Sequence, residues 1–274
     1  MIKKLRETLK ERHPLIHCIT NPISINQCAN AILAVGGRPM MAEHPLEAPV
    51  ITANAGAVLL NLGNITDVRM ESMRLSAETA KEKEIPFVLD VCGVACLSNR
   101  REYALSMLEG STPSVIKGNY SEILALADPD YNASGVDAEK DIDEQRVAAA
   151  AKALAQRYAS VVLASGQTDR ITDGKRLLCC SNGTPQLAEI TGTGCMQGAL
   201  CAAYLSAAED AFSAAVMAAV MLGVCGQLAE TDKGSGSFGV NLLDRLSTVT
   251  DEQLEEMKML RAQERVPDEG RKIW

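Results

Sequence analysis

Aromatic side chains are scarce: three Phe, five Tyr and one Trp make up 3% of 274 residues. Histidine is scarcer still. His13, His17 and His44 all fall in the first sixth of the chain, and no local pattern joins them to a nucleophile. Basic runs are absent and the formal net charge is −8. An acidic chain with few aromatics and no basic stripe is a poor binder of nucleic acid. No apolar stretch reads as reaching the roughly 20 residues of a membrane span. The most apolar segment, 211–224, lies inside the sequence. The opening MIKKLRETLKERH is charged and amphipathic, without the apolar centre of a secretory signal. A cytoplasmic protein without membrane or nucleic-acid partners is expected.

Paired cysteine spacing is also missing. There are nine cysteines, an odd number, and no CxxC pair. Cys92 and Cys96 stand four apart with no second pair to close a tetrahedral zinc site. Most of these thiols read as small buried hydrophobes. The chain also lacks both the GxxxxGK[ST] phosphate loop and the GxGxxG dinucleotide fingerprint.

What is abundant is small and aliphatic. Alanine fills 37 positions and apolar residues 47% of the chain. Short apolar runs read as strands at 15–19, 39–41, 57–60, 87–90, 114–117 and 161–164. Segments of helical period read as helices at 3–11, 23–35, 67–82, 101–108, 121–127, 143–158, 195–205, 211–230 and 251–261. Alternating strands and helices predict an α/β fold, with a mainly parallel central sheet and helices on both faces. Two turn signals within 170–189 predict antiparallel strands at the sheet edge, with only helices after them. Residues 127–143 read as a surface loop, and the tail 265–274 as partly ordered. One domain spanning 1–274 is expected.

The sharpest local signal is Ile190-Thr191-Gly192-Thr193-Gly194-Cys195-Met196-Gln197-Gly198, which opens a small-residue helix. Glycines before a helix leave backbone N–H groups exposed, and the helix dipole adds positive potential, so the turn can hold an anion. A plain helix start with glycines for packing satisfies the same residues. In the first helical turn, Cys195 can act as base or nucleophile, because the dipole favours a thiolate. It can equally be a small packed residue. Asp90 ends a strand, where open α/β sheets bind ligands. Asn119 and Glu122 have spacing suited either to the waters of a Mg²⁺ ion or to a helix capping box. Segments 17–21, 164–166 and 230–238 are further polar ends that point to one shared crevice.

Together, Pro14 to Asn21, Pro39 to Ala42, Leu89-Asp90, Lys117 to Glu122, Thr191 to Cys195 and Asp232 to Phe238 resemble the hydroxyethylthiazole kinase family, ribokinase-like enzymes of thiamine salvage. The resemblance runs from about His13 to Thr250. It implies a ribokinase-like fold and Mg²⁺-dependent transfer of phosphoryl from ATP to the primary hydroxyl of 4-methyl-5-(2-hydroxyethyl)thiazole. It also implies a homotrimer with active sites between subunits. On this resemblance Gly192, Thr193 and Gly194 form the anion hole. Cys195 stands where most ribokinase-like kinases carry an aspartate base. Met41 and Gly192 match thiazole contacts. Asn21, Lys117, Ser165 and Gly194 match positions around the nucleotide. Asp90 and Glu122 match the acids that organise Mg²⁺, through water. The chain departs from the family pattern at Lys117 (usually Arg), Ser165 (usually Thr) and Val91-Cys92 (usually Pro-Val). Lysine keeps the charge but lacks the planar fork. Three other readings remain open at this point. They are a related kinase for another small alcohol, such as the pyrimidine arm of thiamine metabolism, a cysteine-nucleophile hydrolase, and a catalytically silent binding protein.

Overall fold

The computed structural model describes residues 1–131 and 142–263. The chain opens with α1 (Ile2–Arg12), β1 (Leu15–Ile19), α2 (Ile25–Val35), β2 (Arg38–Met40), α3 (Ala48–Thr52) and β3 (Ala57–Asn61). It continues through α4 (Asp67–Glu82), β4 (Phe87–Asp90), α5 (Ser98–Gly110), β5 (Val115–Asn119), α6 (Tyr120–Ala127), α7 (Glu144–Tyr158) and β6 (Val161–Ser165). Then come β7 (Asp169–Thr172), β8 (Leu177–Cys180), a 3₁₀ turn (Pro185–Ala188), α8 (Thr193–Leu205), α9 (Ala211–Ala229), α10 (Ser235–Thr248), α11 (Asp251–Met257) and β9 (Leu260–Ala262).

The strands form one sheet in the order β2-β1-β3-β4-β5-β6-β7-β8-β9. Pairing is parallel from β2 through β6 and antiparallel from β6 to β9. Strand parity decides which residues face which layer, because successive side chains point to opposite faces. Leu59, Val88, Val115 and Leu163 join a core with α1, α2, α8, α9 and α10. Val58, Leu89, Ile116 and Val162 join a second core with α4, α5, α6 and α7. Two more residues along the first set bring Asn61, Asp90, Lys117 and Ser165 onto the α8 face at the carboxyl ends. The chain leaves β1 for β2 on one side and returns to β3 on the other. A switch point therefore lies between β1 and β3, where open α/β sheets form their crevice.

Four differences from the sequence reading have local causes. The helix expected over 251–261 stops at Met257, and β9 follows it as the last sheet edge, so helices are not all that comes after the edge strands. Val249 and Leu254 bury against the core while 260–262 add one more antiparallel strand. Helix α10 was hidden by its glycine-rich start. The short α3 carries only five residues, too few for a periodic signal. Finally, the helix expected over 211–230 forms as α9, but its apolar character runs past the 211–224 segment: its 19 residues are long and apolar enough, by length and composition, to cross a membrane, and 78% of that apolar stretch is buried inside the fold. It is the central helix of the first core. The expected surface loop lies partly, and the tail 265–274 wholly, outside the described residues.

Candidate active site

Register aligns Asn61 with Asp90 and Asp90 with Lys117 across β3, β4 and β5. Asp90 is fully buried and Lys117 nearly so, and Lys117 Nζ donates to Asp90 Oδ2 at 3.2 Å. Burial pulls the Lys117 ammonium down, but Asp90, then Cys195, Glu122 and Cys92, outweigh it and hold the lysine above its ordinary range. Burial pushes the Asp90 carboxyl up, and the Lys117 charge holds it back. Asp90 Oδ1 is buried without a hydrogen bond of normal geometry, although the Asn61 amide and the Cys92 N–H lie close enough to favour its charge.

Glu122 closes the β4–α5 loop onto α6. Its Oε1 accepts from Gly93 N at 2.7 Å and its Oε2 from Asn119 N at 2.6 Å. Asn119 Oδ1 accepts in turn from Glu122 N at 2.9 Å, so the capping box foreseen as one alternative is formed. Both Glu122 oxygens are engaged by backbone N–H groups, which leaves Asp90 Oδ1 as the less satisfied acid atom.

Burial, ahead of the Asp90 charge, pushes Glu122 up to about 7, against the opposing pull of Lys117 and the two N–H donors. This has a sign that can be measured. A carboxyl with a raised folded-state pKa binds more protons folded than unfolded, so stability falls as pH rises from about 4.5 to 7. For Glu122 the loss is on the order of 3 kcal/mol. A Glu122→Gln protein is expected to show a flatter stability profile over that window, read from urea midpoints at successive pH values.

The glycine turn sits above this pair. Gly192 adopts φ +92°, in the left-handed region that glycine tolerates, and begins α8. Its carbonyl accepts from Met196 N at 2.8 Å, and Thr193 Oγ1 donates to Leu187 O at 2.8 Å. No side chain caps α8, so its first N–H groups are open to a ligand. Gly198 lets α8 approach the sheet: a Cβ there would stand 3.1 Å from Asp90 Oδ2 and 3.3 Å from Leu59 Cδ1. At Gly194 a Cβ would stand 3.4 Å from Lys117 Nζ, so the ammonium lies directly under the turn.

Cys195 is half-buried, and its sulfur receives two amide donors. Asn21 Nδ2 lies 3.2 Å from Sγ and Asn61 Nδ2 3.5 Å from it. Of these, Asn61 was not singled out from the sequence. It is the last residue of an apolar run with no motif around it, and only the register with Asp90 reveals it. Asp169 was missed as well. It is buried at the start of β7, with Oδ1 accepting from Gly166 N at 3.1 Å and Oδ2 accepting from Gln197 Nε2 on α8. Burial pushes it up to about 6 against those two donors and Lys117. It ties the turn after Ser165 to the first turns of α8. Ser165 itself ends β6 opposite Asn119 and donates to Gly118 O at 3.3 Å.

Met41 follows β2 and packs, half-buried, against the core that also receives Cys195 and Ile190. Its loop is pinned at three points. His17, which burial keeps neutral by lowering its pKa, donates from Nε2 to Ala42 O at 2.9 Å and accepts at Nδ1 from Thr52 Oγ1 at 2.8 Å. Arg69 grips Glu43 with Nε at 2.7 Å and Nη2 at 3.3 Å. Ser72 Oγ donates to Glu43 O at 2.7 Å. The 230–238 loop is bracketed by Gln186, whose amide bonds both Thr231 O and Thr231 N. Beside it Thr231, Lys233, Gly236, Ser237, Val240 and Asn241 line a cavity of about 310 Å³. A Cβ on Gly239 would stand 3.8 Å from Ile190, which places α10 against the approach to the glycine turn. No group of three or more metal-ligating side chains occurs among the described residues.

The model of the hydroxyethylthiazole kinase family matches residues 6–252. A hydroxyethylthiazole kinase 2 from Clostridium botulinum (strain Hall) is 43% identical over 256 residues, covering 91% of this chain and 96% of that one. A hydroxyethylthiazole kinase from Thermoanaerobacter sp. (strain X514) is 38% identical over 94% of this chain and 98% of its own. Among solved structures, a hydroxyethylthiazole kinase protein from Pyrococcus horikoshii OT3 superposes with a TM-score of 0.86 at 30% identity, over 96% of this chain and 99% of that one. The pyridoxal kinase of Staphylococcus aureus, solved with AMP-PCP and pyridoxal, shares the fold at a TM-score of 0.60 and 13% identity, over 78% of this chain and 88% of that one. With nearly the whole length matched, and the glycine turn, Asp90 and Lys117 gathered at one sheet end, the chain belongs to the hydroxyethylthiazole kinase family.

Proposed function

We propose that this protein transfers the terminal phosphoryl group of ATP to the primary hydroxyl of 4-methyl-5-(2-hydroxyethyl)thiazole, a salvage step toward thiamine. One observation carries the mechanism: the uncapped amides of α8 stand over the buried Lys117–Asp90 pair with the Cys195 sulfur beside them. Phosphoryl transfer needs alignment and charge stabilisation more than covalent chemistry. The N–H groups of Thr193, Gly194 and Cys195 stabilise charge on the transferring group, as an oxyanion hole does. Lys117 offsets the charge of the triphosphate, with Asn21, Ser165 and Gly194 around it. In an acidic protein such local positive elements are what admit an anion. Met41 and Gly192 hold the thiazole end of the acceptor. Cys195 orients the hydroxyl and takes its proton.

The donor set fits Mg²⁺ held through water: Asp90 Oδ1 is a buried oxygen in want of a partner, while Glu122 reaches a water only by sharing oxygens already bonded to N–H groups. When bound, Mg²⁺ supplies charge neutralisation across the phosphates. We place the enzyme in the cytoplasm as a single kinase domain over 1–274, assembled as a homotrimer with sites between subunits. The exposed apolar side chains of Ile23, Leu46 and Val50, which flank Asn21 and Met41 in sequence, support that assembly. A Leu46→Asp/Val50→Asp protein is expected to sediment as a smaller species and to lose thiazole turnover.

The direct test is ADP formation with and without hydroxyethylthiazole, and with and without Mg²⁺. Thiazole-dependent, Mg²⁺-dependent turnover is expected, and none would refute the reading. Cys195→Ser should lower kcat by about 10- to 100-fold, at the lower end of general-base assistance because serine keeps a hydroxyl that can still orient the acceptor. Unchanged kcat would remove Cys195 from the mechanism.

A further inference from the structure

We propose that Asn61, with Asn21 and Gly63, is the positioning device that holds Cys195 as a proton acceptor and not as a donor. The inference rests on the kinase reading above; it adds Asn61 and Gly63, which that reading does not use, and gives Asn21 a second role.

An amide side chain can face a partner with either its NH₂ or its oxygen, and its other hydrogen bonds decide which. Both amides at the sulfur are decided by backbone N–H groups. Gly63 N donates to Asn61 Oδ1 at 2.9 Å, so the Asn61 oxygen is taken and its Nδ2 turns toward Sγ. Ser24 N donates to Asn21 Oδ1 at 3.0 Å, and Asn21 Nδ2 is left facing Sγ in the same way. Asn21 Nδ2 also donates to Asn61 Oδ1 at 3.1 Å, which locks the two amides to each other. The sulfur therefore meets two N–H donors from opposite sides of the β1–β3 switch point. A thiol proton has no acceptor in this pair, whereas sulfur lone pairs are matched twice.

Gly63 is what lets the amides close. A Cβ there would stand 2.8 Å from Asn61 Oδ1 and 2.9 Å from Asn21 Nδ2, closer than side chains tolerate. Around the sulfur, Lys117 faces it from β5, Cys92 from the segment after β4 and Cys28 from α2. Burial pushes the Cys28 thiol up to about 12 and the Cys92 thiol higher still, so neither competes for the role. In the transfer, the acceptor oxygen bonds to the terminal phosphorus as the bond to the departing ADP oxygen breaks. ADP keeps that electron pair. The hydroxyl proton moves to Sγ, the thiolate becomes a thiol, and the thiol later returns its proton to solvent.

The test compares alkylation of Cys195 with that of Cys96, a half-buried reference thiol in the same chain, using iodoacetamide at pH 8 and peptide mapping on the full-length protein. In Asn61→Ala the Cys195:Cys96 ratio is expected to fall about 10-fold, with kcat down about 30-fold and KM for ATP within about twofold. Gly63→Ala, which leaves both amides in place but pushes them apart, should move the ratio in the same direction. In a Cys195→Ala background, the cost of Asn61→Ala should shrink from about 30-fold to the few-fold that loss of its amide beside Asp90 accounts for, because most of its effect runs through the sulfur. A full additional loss in that background, or a fall in kcat with an unchanged alkylation ratio in both single variants, would overturn the proposal. Should the parent show no thiazole-dependent turnover, the kinase reading fails on its own assay, while the alkylation ratio still decides whether the amides govern the sulfur.

Discussion

A Lys117→Met protein is expected to be about 3–5 kcal/mol less stable than its parent at pH 7, with kcat/KM for ATP lower by about 100- to 1000-fold. The reason is Asp90. Its carboxylate is fully buried and its charge partner is Lys117, whose Nζ donates to Oδ2 at 3.2 Å. A buried ion pair contributes little net stability, because desolvation offsets the attraction. Removing one partner is a different matter: the remaining charge stays in a low-dielectric site with only the neutral Asn61 amide and Cys92 N–H beside it and no opposite charge. The stability deficit should shrink as pH falls, because burial already pushes the Asp90 carboxyl up and losing Lys117 removes the group that holds it back. Urea midpoints at pH 5 and pH 7 test this, and a deficit independent of pH would place the cost in packing instead. Lys117→Arg should fold and retain ATP turnover, since it keeps the charge and regains the planar fork of the family pattern.

Much of this was legible in the sequence, for identifiable reasons. Strand parity followed from short apolar runs, so Asp90 and Lys117 were placed at strand ends before any register was known. The glycine turn declared itself through residue types that few structural contexts need. Legibility failed where the information is relational. Asn61 sits in AVLLN, where a single polar residue ends an apolar run, and its importance comes only from lying opposite Asp90 and under Cys195. Asp169 is equally plain in sequence; its partner Gln197 lies on α8, beyond two strands and a 3₁₀ turn. The last strand was lost because Leu260–Ala262 has three residues and gains its character only by pairing with β8. The Glu122 alternatives were resolved in part: the capping box forms, and the carboxyl is buried and raised as well.

Gly192→Val should reduce kcat by about 100- to 1000-fold, the cost of losing oxyanion-hole donors, and destabilise the fold by about 1–3 kcal/mol. Two independent constraints meet at this residue. Its φ of +92° is one that a β-branched side chain adopts only with strain. A Cβ there would also stand 3.0 Å from Ser24 Cβ, in the turn whose N–H orients Asn21. Relief by moving the turn displaces the amides of Thr193 to Cys195, and relief by moving Ser24 disturbs Asn21 at the sulfur. Either way kcat falls. Gly194→Ala separates the two effects. No left-handed backbone is required there, and its Cβ meets only Lys117 Nζ, at 3.4 Å. That variant should keep its stability within about 0.5 kcal/mol and raise KM for ATP, because the added methyl stands between the phosphates and the ammonium beneath the turn. Steady-state kinetics with ATP varied, beside urea denaturation of both proteins, distinguish the patterns. If Gly192→Val turned over at the parental rate, the turn would be a helix start and no more, and charge stabilisation would have to come from Lys117 and other groups of the site.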